Sequence, residues 1–592
     1  MKRCATILLA MELWLRAGSL AAQTHAARPV DKLIGVWASE NAFGPTVRGE
    51  LTIIREAEGW RASVSSLEVP VRHRGDSVSF ALPGNLGSFR GSLMPGGRSI
   101  HGWWIQPLGV TFSQQFATPI ELQVLRPGAW RGTIVPLDDR FDLYLAIWRR
   151  ADGVLLGAFR NPQFNSRGSA SQFRIEVGED SIRFTAPPDT TEPQTRYSAS
   201  IDSAQAQITM MWPYLGRVIV LTPRDSAQAV SLFPRVPPGA AWKYRQPQAE
   251  DDGWLTGRAS AYGMDEAVLE RMVQRIADTT MLVSRSPFIH SILIARHGHL
   301  VLEEYFMGYG PDTPHDTRSA AKTYASVMVG AAMLRGVSIG PDTRLYPLIG
   351  SLGAGAPADP RRDRITLAHL MSHTTGLACD DNEDDSPGNE ETMQQQTAQP
   401  DWWRYTLDLP MTFEPGTHYA YCSATMSLVG AALTAATHTW LPEYFDRTVA
   451  RPLQFGRYYY NLQPTLEGYL GGGLQVRPRD LLKIGQVYVA GGLWNGRRIV
   501  SADWVRRSTM QQVADTAQSR DGFAWHRGVV TSGGRSYREY EANGNGGQFV
   551  IVLPELDLAV TFTAGNYLAY GVWGHFRDDL VANVIIPAIK DR

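Results

Sequence analysis

The sequence predicts an α+β multidomain protein with a duplicated all-β region at its amino end and an antiparallel sheet, flanking helices and a helical lobe after it. Short strands with alternating apolar residues fill residues 28–235. A proline-rich and acidic linker follows over 236–253. Residues 254–592 then place strands early and late with helical segments between them, the order expected of a sheet beside a helical lobe.

Composition restricts the classes of function. The chain has 592 residues, too many for one hydrophobic core, with 44% apolar and 19% charged residues. A net charge of −1 provides no electrostatic attraction for nucleic acid or an anionic membrane. Beyond the amino end, no apolar run approaches the length of a membrane helix. We therefore expect a small-molecule substrate as the partner, and the oligomeric state stays open.

The amino end has the pattern of a signal peptide, predicted over residues 1–27. Met1-Lys2-Arg3 is basic, an apolar run follows from Cys4 to Met11, and small residues come next. The pattern predicts a periplasmic or secreted protein. Because Glu12 and Arg16 interrupt the apolar part, a disordered leader on a cytoplasmic protein is the alternative.

The β-rich region contains an internal repeat. Gly35-Val36-Trp37 recurs as Gly128-Ala129-Trp130, and Asp76–Phe80 recurs as Asp180–Phe184. Repeats of this size predict two similar units, over about 28–125 and 126–235, each a small barrel or half of one sandwich. Its aromatic residues either pack the core or line a site for an apolar ligand. We expect an accessory region that shapes the cleft or binds a partner.

Ser319-Ala320-Ala321-Lys322 is the main candidate for catalysis. The two polar residues open an apolar helix predicted to run to Met333, and positions i and i+3 share a face, so the Lys322 amine can reach the Ser319 hydroxyl. A serine hydroxyl needs such a base to become a nucleophile. The amino end of the helix also directs backbone donors at the group under attack.

Two further motifs follow in the same part of the chain. Tyr421-Cys422-Ser423 and Asn545-Gly546-Gly547-Gln548 come after Ser319–Lys322, with supporting blocks at Leu370–Leu377 and Gly471–Leu474. With these motifs in this order, the segment resembles the serine β-lactamase and penicillin-binding-protein-like hydrolases. The nearest branches are the esterases, D-aminopeptidases and nylon-oligomer hydrolases. The resemblance implies a β-lactamase-like domain over residues 254–592.

The resemblance also implies roles for individual residues. Ser319 would form an acyl-enzyme, Lys322 and Tyr421 would transfer protons, and the backbone N–H groups of Ser319 and Gln548 would form the oxyanion hole. Lys322 can act as the base if burial or nearby positive charge lowers its pKa, and Tyr421 held against Lys322⁺ can ionise more easily. Since the two would share a proton, no single base is assigned. No cofactor and no metal are required.

Two departures from the family pattern bear on the substrate. Ser423 stands where the family usually has Asn, and Asn545 where it has Lys or His. We expect Ser423, Asn545, Gly546 and Gly547 to position substrate. Without a cation at 545, neutral or differently charged esters and amides are favoured over β-lactams and peptides ending in D-alanine. An arginine from another loop would weaken this argument.

Three other features have two interpretations each. Trp402 and Trp403 either wall the substrate pocket or pack the helical lobe. Cys379 and Cys422 either pair or remain free, half-buried thiols. The acidic stretch from Asp380 to Glu391 is interpreted as a solvated loop near the cleft, with a calcium loop as the alternative.

The sequence therefore predicts a serine hydrolase, either a carboxylesterase or an amidase or peptidase. One alternative is an acyltransferase that uses an alcohol or amine in place of water. The other is a binding or sensor protein that is acylated without turnover.

Overall fold

The computed structural model describes residues 29–591 except positions 113, 226 and 236 and the segments 164–171, 187–196, 281–285, 351–358 and 513–520. The predicted signal peptide, residues 1–27, lies outside the described residues and stays a prediction.

The amino-terminal half consists of sixteen strands arranged in two barrel-like sheets. They are β1 Gly35–Gly44, β2 Gly49–Glu56, β3 Gly59–Val64, β4 Leu67–Arg74, β5 Ser77–Ala81, β6 Ser88–Leu93, β7 Ser99–Ile105, β8 Gln115–Arg126, β9 Ala129–Ile134, β10 Asp139–Arg149, β11 Leu155–Arg160, β12 Gln172–Val177, β13 Ser181–Thr185, β14 Tyr197–Asp202, β15 Gln207–Trp212 and β16 Arg217–Arg224. Buried and exposed residues alternate along many of them, as expected when one face of a sheet covers a core.

The first strand of each sequence repeat, β1 or β9, lies in the barrel formed by the other repeat. Strands β2 to β9 close on themselves through the β8–β9 pairing, while β1 joins β10 to β16 in the second barrel. Trp37 of β1 therefore packs in the core of the second barrel, and Trp130 of β9 in that of the first. The units predicted over 28–125 and 126–235 each contain eight strands, but neither closes a barrel alone. The tight turn at Gly128 (φ 80°) keeps β9 beside β8, so the repeat boundary is not the barrel boundary.

The carboxyl-terminal half is built around a seven-stranded sheet of order β17-β19-β18-β28-β27-β26-β25. Its pairings are antiparallel, except that the short β17 is parallel to β19. The strands of this half are β17 Leu255–Thr256, β18 Ile289–Arg296, β19 His299–Tyr305, β20 His315–Asp316, β21 Tyr460–Leu462, β22 Gln475–Val476, β23 Leu493–Trp494, β24 Arg497–Arg498, β25 His526–Ser532, β26 Arg535–Gly544, β27 Gln548–Leu553 and β28 Leu558–Ala564.

Helices cover the sheet and form the helical lobe. They are α1 Glu266–Ala277, α2 Lys322–Leu334, α3 Leu345–Ile349, α4 Leu367–Met371, α5 Glu390–Gln395, α6 Trp402–Asp408, α7 Ser423–Thr437, α8 Leu441–Phe445, α9 Pro478–Val489, α10 Ala502–Ser508 and α11 Tyr570–Trp573, with π-helical segments at Asp446–Ala450 and Arg577–Ile585. Helices α2 and α7 are apolar and buried almost all round, which places them in the centre of the lobe. Within the described ranges, no helix has both the length and the apolar character needed to cross a membrane.

The first barrel is joined to the helical lobe by strand addition. The short β21 pairs with β8, with Asn461 opposite Phe116. Beside this pairing, Trp103 of the barrel meets Trp440 edge-on at 5.6 Å between ring centroids, and the guanidinium of Arg90 lies 4.3 Å from the Trp440 ring centroid. The barrel and the lobe thus share one apolar core, which holds the barrel close to the cleft described below.

Candidate active site

Ser319 and Lys322 meet where a short 3₁₀ turn, Arg318–Ala321, leads into α2. The Lys322 amine donates a hydrogen bond of 2.9 Å to the Ser319 hydroxyl oxygen and another to the carbonyl oxygen of Gly471. Lys322 is only 4% exposed, whereas Ser319 is half-buried. The predicted serine–lysine pair is therefore in hydrogen-bonding contact, with the serine reachable from solvent.

Tyr421 completes the group from a distant segment. The Lys322 nitrogen lies 4.8 Å from its ring centroid, and interactions with Lys322 and Ser319 lower the pKa of its hydroxyl, although burial raises that pKa by more. The centroid of the His373 ring lies 4.7 Å from that of the Tyr421 ring, and the His373 ring accepts a hydrogen bond from the Cys422 N–H. Burial lowers the pKa of His373 to about 3, so this ring is neutral and holds the tyrosine in place.

The electrostatics of the pair differ from the sequence-based expectation. Burial lowers the pKa of Lys322, but the nearby Tyr421, Glu390 and Asp381 outweigh it, and the pKa is raised. Burial also raises the pKa of Tyr421 by more than Lys322 lowers it. At rest the pair is therefore an ammonium beside a neutral phenol. Burial of Lys322 and the effect of Lys322 on Tyr421 each act in the predicted direction, but the acidic groups near the amine and the partial burial of the phenol outweigh them.

Asp381 is a site residue that sequence reasoning missed. One of its carboxylate oxygens accepts hydrogen bonds of 2.7 Å from both the N–H and the hydroxyl of Ser423, and the other accepts one of 3.0 Å from the Glu390 N–H. Burial and the nearby charge of Glu390 raise its pKa to about 7. The solvated-loop prediction is correct for the exposed residues 382–385 but wrong for Asp381, whose carboxylate faces the second motif.

A disulfide between Cys379 and Cys422 explains this placement. The two Cα atoms lie 5.7 Å apart, and both cysteines are buried. Cys379 is two residues before Asp381, and Cys422 lies between Tyr421 and Ser423, so the bond fastens the acidic loop to the second motif. The position of Asp381 two residues after a cysteine was the available signal. The two sulfur atoms and the Asp381 carboxylate lie close together, but the sulfurs are bonded to each other and leave no thiolate for a metal.

Ser423 does not face the cleft. It begins α7, is 1% exposed, and its hydroxyl donates to Asp381. The expectation that Ser423 positions substrate was therefore wrong. Its hydroxyl is short, and the buried carboxylate opposite it is the nearest strong acceptor, so the side chain points inward.

At the third motif, Gly544 is the residue next to the nucleophile. A Cβ atom on Gly544 would lie 3.0 Å from the Cβ of Arg318 and 3.1 Å from the N of Ala320. Among the described residues, β25 pairs with β26 only as far as Glu541, so residues 542–544 of β26 have no strand paired with them on that side. A free strand edge beside Ser319 provides backbone groups for a substrate.

Gln548, predicted to complete the oxyanion hole, lies deeper in the sheet. It pairs with Gly544 in the β26–β27 ladder, is fully buried, and its side chain hydrogen-bonds the backbone of Ala564 in both directions. This prediction was wrong, because the turn from 544 to 547 separates Gln548 from the edge that meets Ser319.

The other residues of the third motif shape that turn. The Asn545 side chain accepts a hydrogen bond of 2.7 Å from the Leu568 N–H. Gly546 and Gly547 have φ of 100° and 102°, and Cβ atoms on them would lie 2.8 Å from the Tyr567 ring and 2.7 Å from the Phe576 ring. They are glycines because the turn and its packing exclude a side chain. The structure therefore gives them a packing role rather than the predicted contact with substrate.

Trp402 and Trp403 pack the helical lobe. They are 2% and 7% exposed on α6, Trp402 meets Tyr469 edge-on, and the Trp403 indole N–H donates to the hydroxyl of Ser427. Of the two interpretations, packing of the helical lobe is the one observed, and the assignment of these residues to the substrate pocket was wrong.

The block Gly471–Leu474 supports the nucleophile, and the first barrel supports that block. The N–H of Gly473 donates to the carbonyl of Arg318, and the N–H of Thr317 donates to the carbonyl of Leu474. The Asn461 amide donates to the carbonyl of Gly472 and, at 2.8 Å, to the side chain of Gln114 in the barrel. The accessory region thus contacts the backbone that holds Ser319.

Comparison with known proteins identifies sequences similar to the carboxyl-terminal half. Residues 290–567 match the family model described as Beta-lactamase. The 6-aminohexanoate-dimer hydrolase of Paenarthrobacter ureafaciens is 24% identical over 246 residues, which are 39% of this chain and 60% of that enzyme. The chain thus spans less than two thirds of this relative, whose name describes a hydrolase.

Solved structures give weaker similarities. A penicillin-binding protein from Bacillus halodurans has a TM-score of 0.39 and 15% identity, covering 50% of this chain and 97% of its own. The octameric penicillin-binding protein homologue from Pyrococcus abyssi has a TM-score of 0.40 and 15% identity, covering 55% and 78%.

Proposed function

We propose that this protein, whose residues 290–567 form a beta-lactamase family domain, is a serine hydrolase that cleaves an ester or amide through an acyl-enzyme at Ser319. The observation that carries the proposal is the contact of three groups. The Lys322 amine is 2.9 Å from the Ser319 oxygen, and the Lys322 nitrogen lies 4.8 Å from the ring centroid of Tyr421. An alcohol in contact with two proton-transfer groups is the requirement for nucleophilic catalysis.

Acylation starts once the Lys322–Tyr421 pair has lost one proton. The pair takes the proton of the Ser319 hydroxyl while the oxygen forms a bond to the substrate carbonyl carbon, whose oxygen becomes an oxyanion. The bond to the leaving group then breaks, and the pair donates the proton to the departing oxygen or nitrogen. Water repeats these steps on the acyl-enzyme, which releases the acid and restores Ser319.

The oxyanion is stabilised by backbone donors at the start of the catalytic turn. One is the N–H of Ser319 itself, at the amino end of the helical segment. For the second we propose the N–H of Asn545, which directly follows Gly544 at the free edge of β26. The substrate would lie along this edge and pair with its backbone.

The disulfide supports a periplasmic or secreted location. Disulfide bonds persist in oxidising compartments and are rare where thiols are kept reduced. Cys379–Cys422 is such a bond, and it lies within the site.

A fluorophosphonate probe followed by a substrate panel tests the function. We expect the probe to label the protein, and steady-state turnover of short-chain esters, amino-acid amides or amide oligomers. Ser319→Ala should abolish both labelling and turnover, while Ser338→Ala, on a loop outside the site, should change neither. A burst of one acyl group per chain without turnover would favour the sensor alternative, and product that increases with added alcohol or amine would favour the acyltransferase.

A further inference from the structure

Arg318, the residue before the nucleophile, has an unusual backbone conformation. Its φ is 46°, in the left-handed region that a residue with a Cβ seldom adopts. The conformation is held on both sides, since its N–H donates to the Asp316 carboxylate at 2.8 Å and its carbonyl accepts from the N–H of Gly473. Strain of this kind persists where the surrounding structure imposes it, often at functional sites.

The conformation directs the Arg318 side chain toward the third motif. The Cβ of Arg318 lies over Gly544, 3.0 Å from where a Cβ would stand on that glycine. The guanidinium carbon lies 4.8 Å from the ring centroid of Tyr567. The guanidinium is therefore next to the free edge of β26, on the side of the cleft where Asn545 brings no charge.

Among the described residues, Asp316 is the ion-pair partner of the Arg318 guanidinium, and it engages the Nε side of the group. Its Nε lies 3.0 Å from an oxygen of Asp316, whose other oxygen accepts the backbone N–H, and the side chain is 39% exposed. Burial lowers the pKa of Arg318, but the charge of Asp316 outweighs it and raises the pKa, so the group stays cationic. A guanidinium has five N–H donors arranged to bind a carboxylate with two bonds.

We propose that Arg318 binds a carboxylate of the substrate, so that the protein prefers esters or amides that carry a free carboxylate. The proposal rests on the proposed hydrolase function and deepens it. It reverses the preference for neutral or differently charged esters and amides that the sequence predicted from the absence of a cation at Asn545. The arginine is contributed by the nucleophile turn itself.

Two matched pairs of substrates test the proposal. One pair is the 4-nitrophenyl monoester of adipate and its methyl ester, with the charge on the acyl side. The other pair is 4-acetoxybenzoate and its methyl ester, with the charge on the leaving group. The kcat/KM of each is measured for the wild type, Arg318→Gln, Arg318→Lys and Arg497→Gln, the last an exposed arginine on β24.

In at least one pair, we expect the wild type to prefer the charged substrate. Arg318→Gln should lower the ratio of charged to neutral kcat/KM by 10-fold or more, mainly through KM, because a charge-assisted bidentate pair is lost. Arg318→Lys should restore part of the ratio, and Arg497→Gln should preserve it. A ratio unchanged by Arg318→Gln in both pairs would overturn the proposal.

A second measurement covers the case in which Arg318→Gln does not fold. On the wild type, adipate should slow fluorophosphonate labelling at concentrations where dimethyl adipate does not, and equal effects would contradict carboxylate binding. The outcomes separate the two proposals. A wild type that neither reacts with the probe nor hydrolyses any ester refutes the hydrolase. Hydrolysis with no dependence on Arg318 refutes only the carboxylate site.

Discussion

At the scale of single residues, the chemistry depends on a proton shared between Lys322 and Tyr421. Lys322 is buried and Tyr421 is half-buried, and both have raised pKa values, the tyrosine through burial and the lysine through nearby acidic groups that outweigh burial. The hydrolase has no reactive base until this pair loses a proton, so its rate should follow the titration of the pair.

The first prediction is an alkaline pH profile. Because both pKa values are raised, the base form is scarce at neutral pH, and kcat/KM for a neutral ester should rise continuously from pH 7 to 9. Stopped-flow measurement of the acylation burst across this range provides the check. A rate that is flat or falls above pH 7 would contradict the assignment of the pair.

The second prediction concerns removal of either proton-transfer group. Tyr421→Phe and Lys322→Met should each lower kcat by about 10²–10⁴-fold with a smaller change in KM, the range typical of general acid–base catalysis. The double variant should be little worse than the poorer single variant, since the two residues act as one unit. Fully additive losses would show that they act independently.

The third prediction isolates Asp381. Its negative charge raises the pKa of both Lys322 and Tyr421, so Asp381→Asn should lower both values and move the rising limb of the profile to lower pH. Asp384→Asn, on an exposed position of the same loop, is the matched control and should leave the limb in place. A limb that does not move in Asp381→Asn would show that the carboxylate has only a structural role.

The residue roles differ in how far sequence could predict them. Ser319 and Lys322 are three positions apart, so local helix geometry alone predicts their contact. Asp381 and Gly544 reach the site only through a disulfide and a sheet, which no local pattern encodes. The orientation of Arg318 depends on a positive φ imposed by Asp316 and Gly473. Gln548 was misassigned because a four-residue turn decides which backbone N–H faces the serine.

At the scale of elements, the disulfide joins the loop before α5 to the start of α7. It closes a loop with a sequence separation of 43 residues. By restricting the unfolded chain, a bond of this span stabilises the native state by about 4 kcal/mol in the chain-entropy model. It also keeps Asp381 against Ser423, so loss of the bond should affect both stability and activity.

The fourth prediction follows from this bond. Cys379→Ser combined with Cys422→Ser should lower the free energy of unfolding by about 2–4 kcal/mol. It should also move the rising part of the kcat/KM profile to lower pH, as Asp381→Asn does. Denaturant unfolding and the pH profile of the double variant are the measurements. Reductant should reproduce the effect in the wild type and do nothing further to the double variant; an equally stable double variant would argue against the role of the bond.

At the scale of the whole molecule, the exchanged strands tie the two barrels together, and β21 ties the first barrel to the lobe. The repeated sequence predicted two similar β-units, and eight strands do lie on each side of the repeat boundary. The exchange itself was not predictable, because strand pairing is non-local and the same alternating pattern fits either partner.

The fifth prediction uses fragments of the β-region. Residues 45–135 contain β2 to β9 and should give a cooperative thermal transition as a monomer, since the β8–β9 pairing closes the sheet and only the short part of β8 that pairs with β21 loses its partner. Residues 28–125 lack β9 and should aggregate. Circular dichroism and size-exclusion chromatography compare the two, and a well-folded 28–125 beside an unfolded 45–135 would contradict the exchange.

The most direct test of the account is the site of acylation. The protein is quenched in acid during turnover of a slow ester, and the acyl group is located by peptide mass spectrometry. We predict one acyl group per chain, on Ser319, increased when Tyr421→Phe slows deacylation, and absent in Ser319→Ala. An acyl group on any other residue, or turnover that survives Ser319→Ala, would contradict the claim that the serine, lysine and tyrosine form the catalytic centre.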